Sequence, residues 1–489
     1  MPAPEPGVPR HAATHPRPPG RGGRADPVAT VVVLLGVALL GSGCAGPLAA
    51  TGGLNLTGEW QGRIDVPGAP LDIGITLSAD GAGTMDVAAQ GATDLPLADV
   101  RVEGARFTAA VPGLPGGAAF DGTVAEGAAG IAGDYTQAGQ TFPFRLERGA
   151  PAPPVRPQEP QPPLPYRAVD ISYPSGDLTL AGTLTLPEGP GPFAAVVLIT
   201  GSGPQDRDES VAGHRPFLVL ADALTRAGYA VLRTDDRGVG GSGGDYSRAT
   251  YEELTADVLA GAAHLASRPE IDPARIGLLG HSEGGSLAPL VAREAAGKVA
   301  FVVLMAGPAV SGEDVLVRQN ERLLAQAGSP PAEVETQVAY VRELVALLRA
   351  QDYDRAAELT RTRIAEQAAA LPPAQRPTPE QVDAQAAALV SPVTRALVTY
   401  DPAAALGELS VPVLAFYGGK DLQVPAEQSE PRAVALLSGN TDATVRTLPG
   451  LNHLMQPADT GSLAEYARIE TTVAPDVLDL VTGWLQERF

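Results

Sequence analysis

Two kinds of apolar periodicity divide the chain. Between residues 54 and about 148, apolar and polar positions alternate: Leu71, Ile73, Ile75 and Leu77 are set between Asp72, Gly74, Thr76 and Ser78. A period of two puts every second side chain on one face of a strand. Turn signals such as Ala79-Asp80-Gly81 separate the runs. Phe107, Phe120 and the run from Thr141 to Leu146 carry further short strands, and no long stretch here has helical period. The pattern predicts a small all-β unit, an antiparallel barrel or sandwich of about six to eight strands, with Trp60 in its core.

From Tyr166 the pattern changes. Ala168 to Tyr173 and Leu178 to Leu186 predict an antiparallel pair joined at Pro174-Ser175-Gly176-Asp177. Apolar runs at Ala194–Thr200, Tyr229–Arg233, Ile276–Gly280, Phe301–Ala306 and Val411–Tyr417 predict buried parallel strands, and Thr444–Leu448 a last one. Helical stretches at Pro216–Ala227 and Tyr251–Ser267 lie between them. The alternation predicts an α/β unit over residues 166–489, a doubly wound, mostly parallel sheet flanked by helices. From about residue 311 to 400 the strand signal stops. Helical period fills this stretch, broken at Ser329-Pro330-Pro331 and Leu371-Pro372-Pro373. Residues 149–165 are rich in proline and predict an extended linker between the two units.

The first 44 residues stand apart. Arginines precede a 13-residue apolar run, Val28 to Leu40, and then comes Gly41-Ser42-Gly43-Cys44. The run is short for a membrane span and fits the apolar region of an export signal. Small residues before the chain's one cysteine resemble a bacterial lipobox, in which that cysteine is lipidated and becomes the mature terminus; Gly41 stands where leucine is usual. The resemblance implies an exported envelope lipoprotein, in contact with the membrane only through its amino terminus; secretion is the alternative. With one cysteine, no intramolecular disulfide can form.

The net charge is −21, and it is carried by the body, because the first 44 residues hold four arginines against two acids. No basic patch offsets it, so nucleic acid is not an expected partner. The sequence contains no metal-ligand cluster and no nucleotide-binding loop, so no cofactor is expected. The oligomeric state is not legible.

The chemistry centres on Gly280-His281-Ser282-Glu283-Gly284, which ends an apolar run and precedes a helical segment, Ser286 to Ala296. This strand, turn and helix resemble the nucleophile elbow of α/β hydrolases. Glycines flank the serine because side chains there would strike the neighbouring strand and helix. A second match, Gly240-Gly241-Ser242-Gly243-Gly244, lies past its strand in a glycine run and is followed by Asp245-Tyr246, not by an apolar helix face. Ser282 is therefore the candidate nucleophile.

A serine hydroxyl needs a base, and the base needs an orienting carboxylate. In the fold resembled here the order is serine, acid, histidine. One histidine follows Ser282: His453, in a loop just past the last predicted strand; His214 is the rival. Asp421 follows the preceding strand directly, with Asp442 and Asp459 as rivals. The oxyanion donors expected are the backbone N–H of Glu283, at a helix start, and that of Ser202 in Gly201-Ser202-Gly203-Pro204, with Gly203 as the alternative.

Together with Asp236-Arg237-Gly238, these motifs make residues 166–489 similar to the α/β-hydrolase superfamily, in its serine-esterase and prolyl-oligopeptidase-like arrangement. The resemblance implies that the helical stretch about 311–400 is a lid. It departs at Thr200, where many lipases have histidine. The β unit resembles β-rich modules ahead of hydrolase domains in some exported bacterial esterases. The function implied is that of a serine carboxylic-ester hydrolase, working through an acyl-enzyme on small-molecule esters. Two alternatives remain: an exported serine peptidase, and a non-catalytic envelope binding protein.

Overall fold

The structure, a computed structural model, describes residues 55–66, 71–79, 81–87, 92–112, 114, 118–137, 140–149, 156–369 and 376–489. The apolar run before Cys44, Cys44 itself, residues 150–155 of the linker and the break at Leu371-Pro372-Pro373 lie outside them.

The alternating segment folds as eight strands: β1 (Gly58–Ile64), β2 (Leu71–Leu77), β3 (Gly83–Val87), β4 (Ala92–Glu103), β5 (Arg106–Val111), β6 (Ala118–Val124), β7 (Gly130–Gln137) and β8 (Gln140–Arg148). Each pairs with the next, and β8 returns to β1 with Arg148 opposite Trp60, closing a barrel. Closure leaves no free sheet edge. The inward side chains fill the interior: Trp60, Phe107, Phe120 and Phe144 are buried, and the Trp60 indole N–H donates to Leu56 O at 2.8 Å. Burial of each such aromatic contributes about 2–3 kcal/mol.

The second unit is an eight-stranded sheet. Its strands are β9 (Arg167–Ser175), β10 (Leu178–Leu186), β11 (Phe193–Ile199), β12 (Ala230–Thr234), β13 (Ile271–His281), β14 (Val302–Met305), β15 (Val413–Gly418) and β16 (Ala443–Leu448). Their order across the sheet is β16-β15-β14-β13-β11-β12-β10-β9. The strands from β11 onward run parallel, while β9 and β10 form an antiparallel margin. Successive residues face opposite sides, so Val197 and Ile199 join one core while Val196 and Leu198 join the other. Helices α1 (Pro216–Arg226) and α11 (Pro475–Gln486) cover one face, and α2 (Tyr251–Ala266) and α3 (Glu283–Glu294) the other.

The stretch without strands is five helices: α4 (Gly312–Gln326), α5 (Pro331–Arg349), α6 (Tyr353–Ala369), α7 (Pro379–Leu389) and α8 (Pro392–Thr399). Ser311, Thr378 and Ser391 cap α4, α7 and α8 by accepting from backbone N–H groups of the first turn. Pro331 opens α5, where a missing N–H costs nothing. The insertion has a small core of its own, in which Leu316, Tyr340, Val341 and Leu344 meet Val398. Two further α-helices among the described residues are α9 (Ala403–Gly407) and α10 (Ala426–Leu436).

The second half of the linker differs from the extended spacer expected. Residues 156–165 form turns held to the α/β unit. The buried Arg156 guanidinium donates to the carbonyls of Ala212, Gly213, Ala467 and Ile469. Gln158 accepts from Thr472 N–H and donates to Val473 O, both at 2.7 Å. Polar side chains among the prolines supply this attachment, which composition alone does not reveal.

Candidate active site

Because β11 and β13 to β16 are parallel, their carboxyl ends lie along one edge of the sheet. Ser202, Ser282, Glu283, Asp421 and His453 follow strands at that edge.

Ser282 stands between β13 and α3 with φ 53° and ψ −117°. Such a conformation costs an ordinary residue about 1–3 kcal/mol and must be enforced by its surroundings. Its N–H donates to Met305 O at 2.9 Å, and its carbonyl accepts from Gly285 N–H. The flanking glycines are sterically required. A Cβ on Gly280 would lie 2.1 Å from Gly284 O, and one on Gly284 would lie 2.2 Å from Ile199 O.

Asp421 and His453 come together. Nδ1 of His453 lies 2.7 Å from Oδ2 of Asp421, and both residues are buried. The other oxygen, Oδ1, accepts from the N–H groups of Gln423 and Val424 at 2.8 and 2.9 Å. An acceptor-only carboxylate at Nδ1 fixes the tautomer with Nε2 free of hydrogen. The two loops are joined along their backbones: Gly419 N–H donates to Leu448 O, and Lys420 N–H to Leu451 O.

The rivals have other duties. Asp442 precedes β16, at the opposite end of the strand, and pairs with Arg488 at 2.8 Å, and Asp459 is exposed. His214 is fully enclosed, with Nδ1 2.9 Å from Thr472 Oγ1 and Nε2 2.9 Å from Tyr466 O; burial pushes its pKa down. Ser242 accepts from Ala181 N–H at 2.9 Å and donates to Asp235 O at 2.7 Å, so it staples the glycine run to β10.

The loop after β11 is held by buried acids. Gly201 N–H donates to Glu209 Oε1 at 2.6 Å, Gly203 N–H to Tyr246 Oη at 3.3 Å, and Gln205 N–H to Asp236 Oδ2 at 2.9 Å. Among the described residues, the N–H groups of Ser202 and Glu283 have no such partner. Ser202 is thus the unoccupied donor of this loop, whereas Gly203 is engaged. Thr200 donates to Asp236 at 3.0 Å, and burial raises that carboxyl's pKa well above the usual range.

Two buried carboxyls were not legible in the sequence as site residues. The side chain of Glu283 accepts from Tyr246 Oη at 2.9 Å; burial pushes its pKa up to about 6, against the hydrogen bonding of its tyrosine neighbours. Glu209, at φ 53°, lies 2.9 Å from Nδ1 of His281. Nε2 of His281 lies 3.0 Å from His453 O, and the two imidazole centroids are 4.7 Å apart. A carbonyl only accepts, so that Nε2 carries hydrogen. Burial opposes charge on His281, but Glu209 and these hydrogen bonds prevail and raise its pKa.

Two cavities meet here. One is lined by Ser282, Ser202 and Glu283 on one side and by Val315, Gln319 and Leu397 on the other. The second, larger one shares Ser202, Glu283 and Leu397 and extends to Arg237, Asp245 and Ser391. The helical insertion therefore walls the site.

Comparisons with known proteins found the following similarities. The family described as "Serine aminopeptidase, S33" matches residues 215–367. Esterase EstD of Thermotoga maritima is 28% identical over 318 residues, which make up 64% of this chain and 68% of that protein. Among solved structures, an esterase of Pyrococcus furiosus aligns with 66% of this chain and 91% of its own, at 16% identity and a TM-score of 0.41. A proline iminopeptidase of Mycobacterium smegmatis aligns with 65% and 98%, at 19% identity and a TM-score of 0.40.

Proposed function

We propose that the chain is a serine hydrolase of the α/β-hydrolase superfamily, as its similarity to that family and to an esterase supports, and that it hydrolyses carboxylic esters through an acyl-enzyme formed on Ser282. The observation that carries the reading is the buried His453–Asp421 hydrogen bond at the edge where Ser282 is held in a strained turn. In the proposed mechanism, Ser282 Oγ attacks the ester carbonyl and its proton passes to Nε2 of His453. Asp421 holds the resulting imidazolium. The N–H groups of Ser202 and Glu283 receive the oxyanion, and the start of α3 adds a favourable dipole. His453 then returns the proton to the leaving alcohol. Water enters by the same route in reverse and frees the acid.

The family description gives a second reading, an aminopeptidase. Such an enzyme needs a counter-charge for the substrate's ammonium group. In the cavity that Ser282 lines, the carboxyl is Glu283, whose Oε1 is enclosed and whose Oε2 is taken by Tyr246. That favours esters. Hydrolysis of p-nitrophenyl alkanoates, lost in Ser282→Ala, tests the esterase reading; turnover of aminoacyl p-nitroanilides without ester turnover would replace it.

We also propose that Cys44 is the lipidated mature terminus. The supporting features are the arginine-bearing segment, the short apolar run and the small residues before it. Mass spectrometry of the amino-terminal peptide should find lipid on Cys44, and Cys44→Ser should leave the protein unlipidated; an unmodified Cys44 in membrane-associated protein would refute it.

A further inference from the structure

The cavity beside Ser282 is apolar on the side built by the helical insertion. Val310, Val315, Leu316, Leu397 and Val398 line it. Into this wall α4 places one amide, that of Gln319. The residue is 8% exposed, and its amide, which opens onto the cavity rather than being sealed from it, has no hydrogen-bond partner among the described residues. Its neighbour shows what the insertion does with a buried amide that has a structural role. Asn320 donates to Leu316 O at 2.8 Å and accepts from Gln337, which in turn accepts from Arg363. Gln319, one residue earlier, faces the cavity instead of that network. Tyr400 lines the same cavity, and its hydroxyl likewise has no partner among the described residues.

A polar side chain set in a largely apolar wall without a protein partner is answered by water or by a ligand, and a ligand that displaces the water must replace its hydrogen bonds. Where one lines a substrate cavity, the missing partner is most simply the substrate. The charge of the wall narrows what that partner can be. No lysine, arginine or histidine is among the lining residues, and the carboxyl present is Glu283. An anionic substrate group would meet no counter-ion there. A cationic group would meet a carboxyl already bonded to Tyr246. An amide both donates and accepts, and a hydroxyl can answer in both directions.

We propose that Gln319 is a specificity-determining residue: it hydrogen-bonds an uncharged polar group, a hydroxyl above all, carried on the acyl chain. The preferred substrates are then esters of short hydroxylated acids, in preference to plain alkanoates or dicarboxylates. This inference rests on the esterase reading and adds the acyl class to it. A site shaped around one hydrogen bond discriminates against an analogue lacking it by roughly 10-fold or more, because the bound analogue displaces water from the amide without replacing its hydrogen bond.

The test compares p-nitrophenyl 3-hydroxybutanoate with p-nitrophenyl butanoate on the full-length protein, wild type and Gln319→Met. Methionine keeps the length and apolar packing and removes both hydrogen-bonding atoms. The expected wild-type ratio of kcat/KM favours the hydroxylated ester by roughly 10-fold or more. In Gln319→Met the ratio falls to about one. The wild-type ratio needs no variant, so misfolding cannot mask it. A wild-type ratio near or below one, or a preference that survives in Gln319→Met, overturns the proposal while leaving the esterase reading intact. Turnover of neither ester, with Ser282 still labelled by a fluorophosphonate, overturns both.

Discussion

Nε2 of His281 lies 3.0 Å from the carbonyl oxygen of His453, so the residue before the candidate nucleophile holds the loop that carries the candidate base. On its other side His281 meets Glu209, which also accepts the N–H of Gly201. One buried pair thus ties together the turn, the histidine loop and the oxyanion loop. Removing one partner of a buried charge pair leaves the other unpaired, at a cost of about 3 kcal/mol or more. Glu209→Gln should therefore lower Tm. It should also reduce kcat, by roughly 10-fold to 100-fold, through misplacement of His453. The pH dependence has a definite sign. The folded pKa of His281 is raised, so the pair's contribution is complete below the ordinary imidazole pKa, about 6.5, and is lost as pH rises through the higher folded value. Thermal melts should show the gap between wild type and Glu209→Gln widest on the acid side and narrower on the alkaline side; a constant gap would refute the linkage.

The backbone role assigned to Ser202 separates two substitutions at one position. Ser202→Ala keeps the N–H and should retain most activity. Ser202→Pro deletes the donor and should lower kcat by roughly 100-fold to 1000-fold, with a smaller change in KM. Equal effects of the two, measured by steady-state ester kinetics, would assign the hydroxyl or the loop's shape instead.

Ser242 makes the opposite case. It satisfies the same short motif as Ser282, but both its hydrogen bonds serve the loop after β12. Ser242→Ala should cost about 1–2 kcal/mol of stability in denaturant melts. Fluorophosphonate labelling should persist in the folded variant, and its loss there would reopen the choice of nucleophile.

Glu283 gives a second pH signature. Its folded pKa, about 6, lies above the ordinary 4.5. A carboxyl with a raised pKa holds its proton longer when folded, so stability falls as pH rises between these two values, by about 2 kcal/mol. Glu283→Gln has no such proton to release. The stability of wild type relative to this variant should decline across that window and stay level above it. A flat difference would mean that the carboxyl is better solvated than its burial implies.

What the sequence made legible was whatever depends on local pattern. Strand periodicity located β9 to β16 within a few residues, and the glycines around Ser282 marked a turn whose close approaches the coordinates bear out. The candidate acid and base were legible because chain order left one histidine after Ser282. The rest depends on long-range contact. Nothing near Glu209 in sequence announces that it will meet His281, 72 residues away, at its ring nitrogen. Arg156 reads as one charge among prolines until four carbonyls from distant loops surround it. Gln319 lies in a polar helical stretch, and only the packing of α4 against α5 and α8 separates it from Asn320. Folding decides which of two adjacent amides is bonded and which is left open.

The central claim is an acyl-enzyme on Ser282, and the most direct measurement is to trap it. The protein would be mixed with an excess of p-nitrophenyl butanoate, quenched in acid within the first turnovers, digested and mapped by mass spectrometry. The account predicts a butanoyl adduct on the peptide bearing Ser282, absent in Ser282→Ala. An adduct on another residue, or ester turnover undiminished in Ser282→Ala, would contradict it.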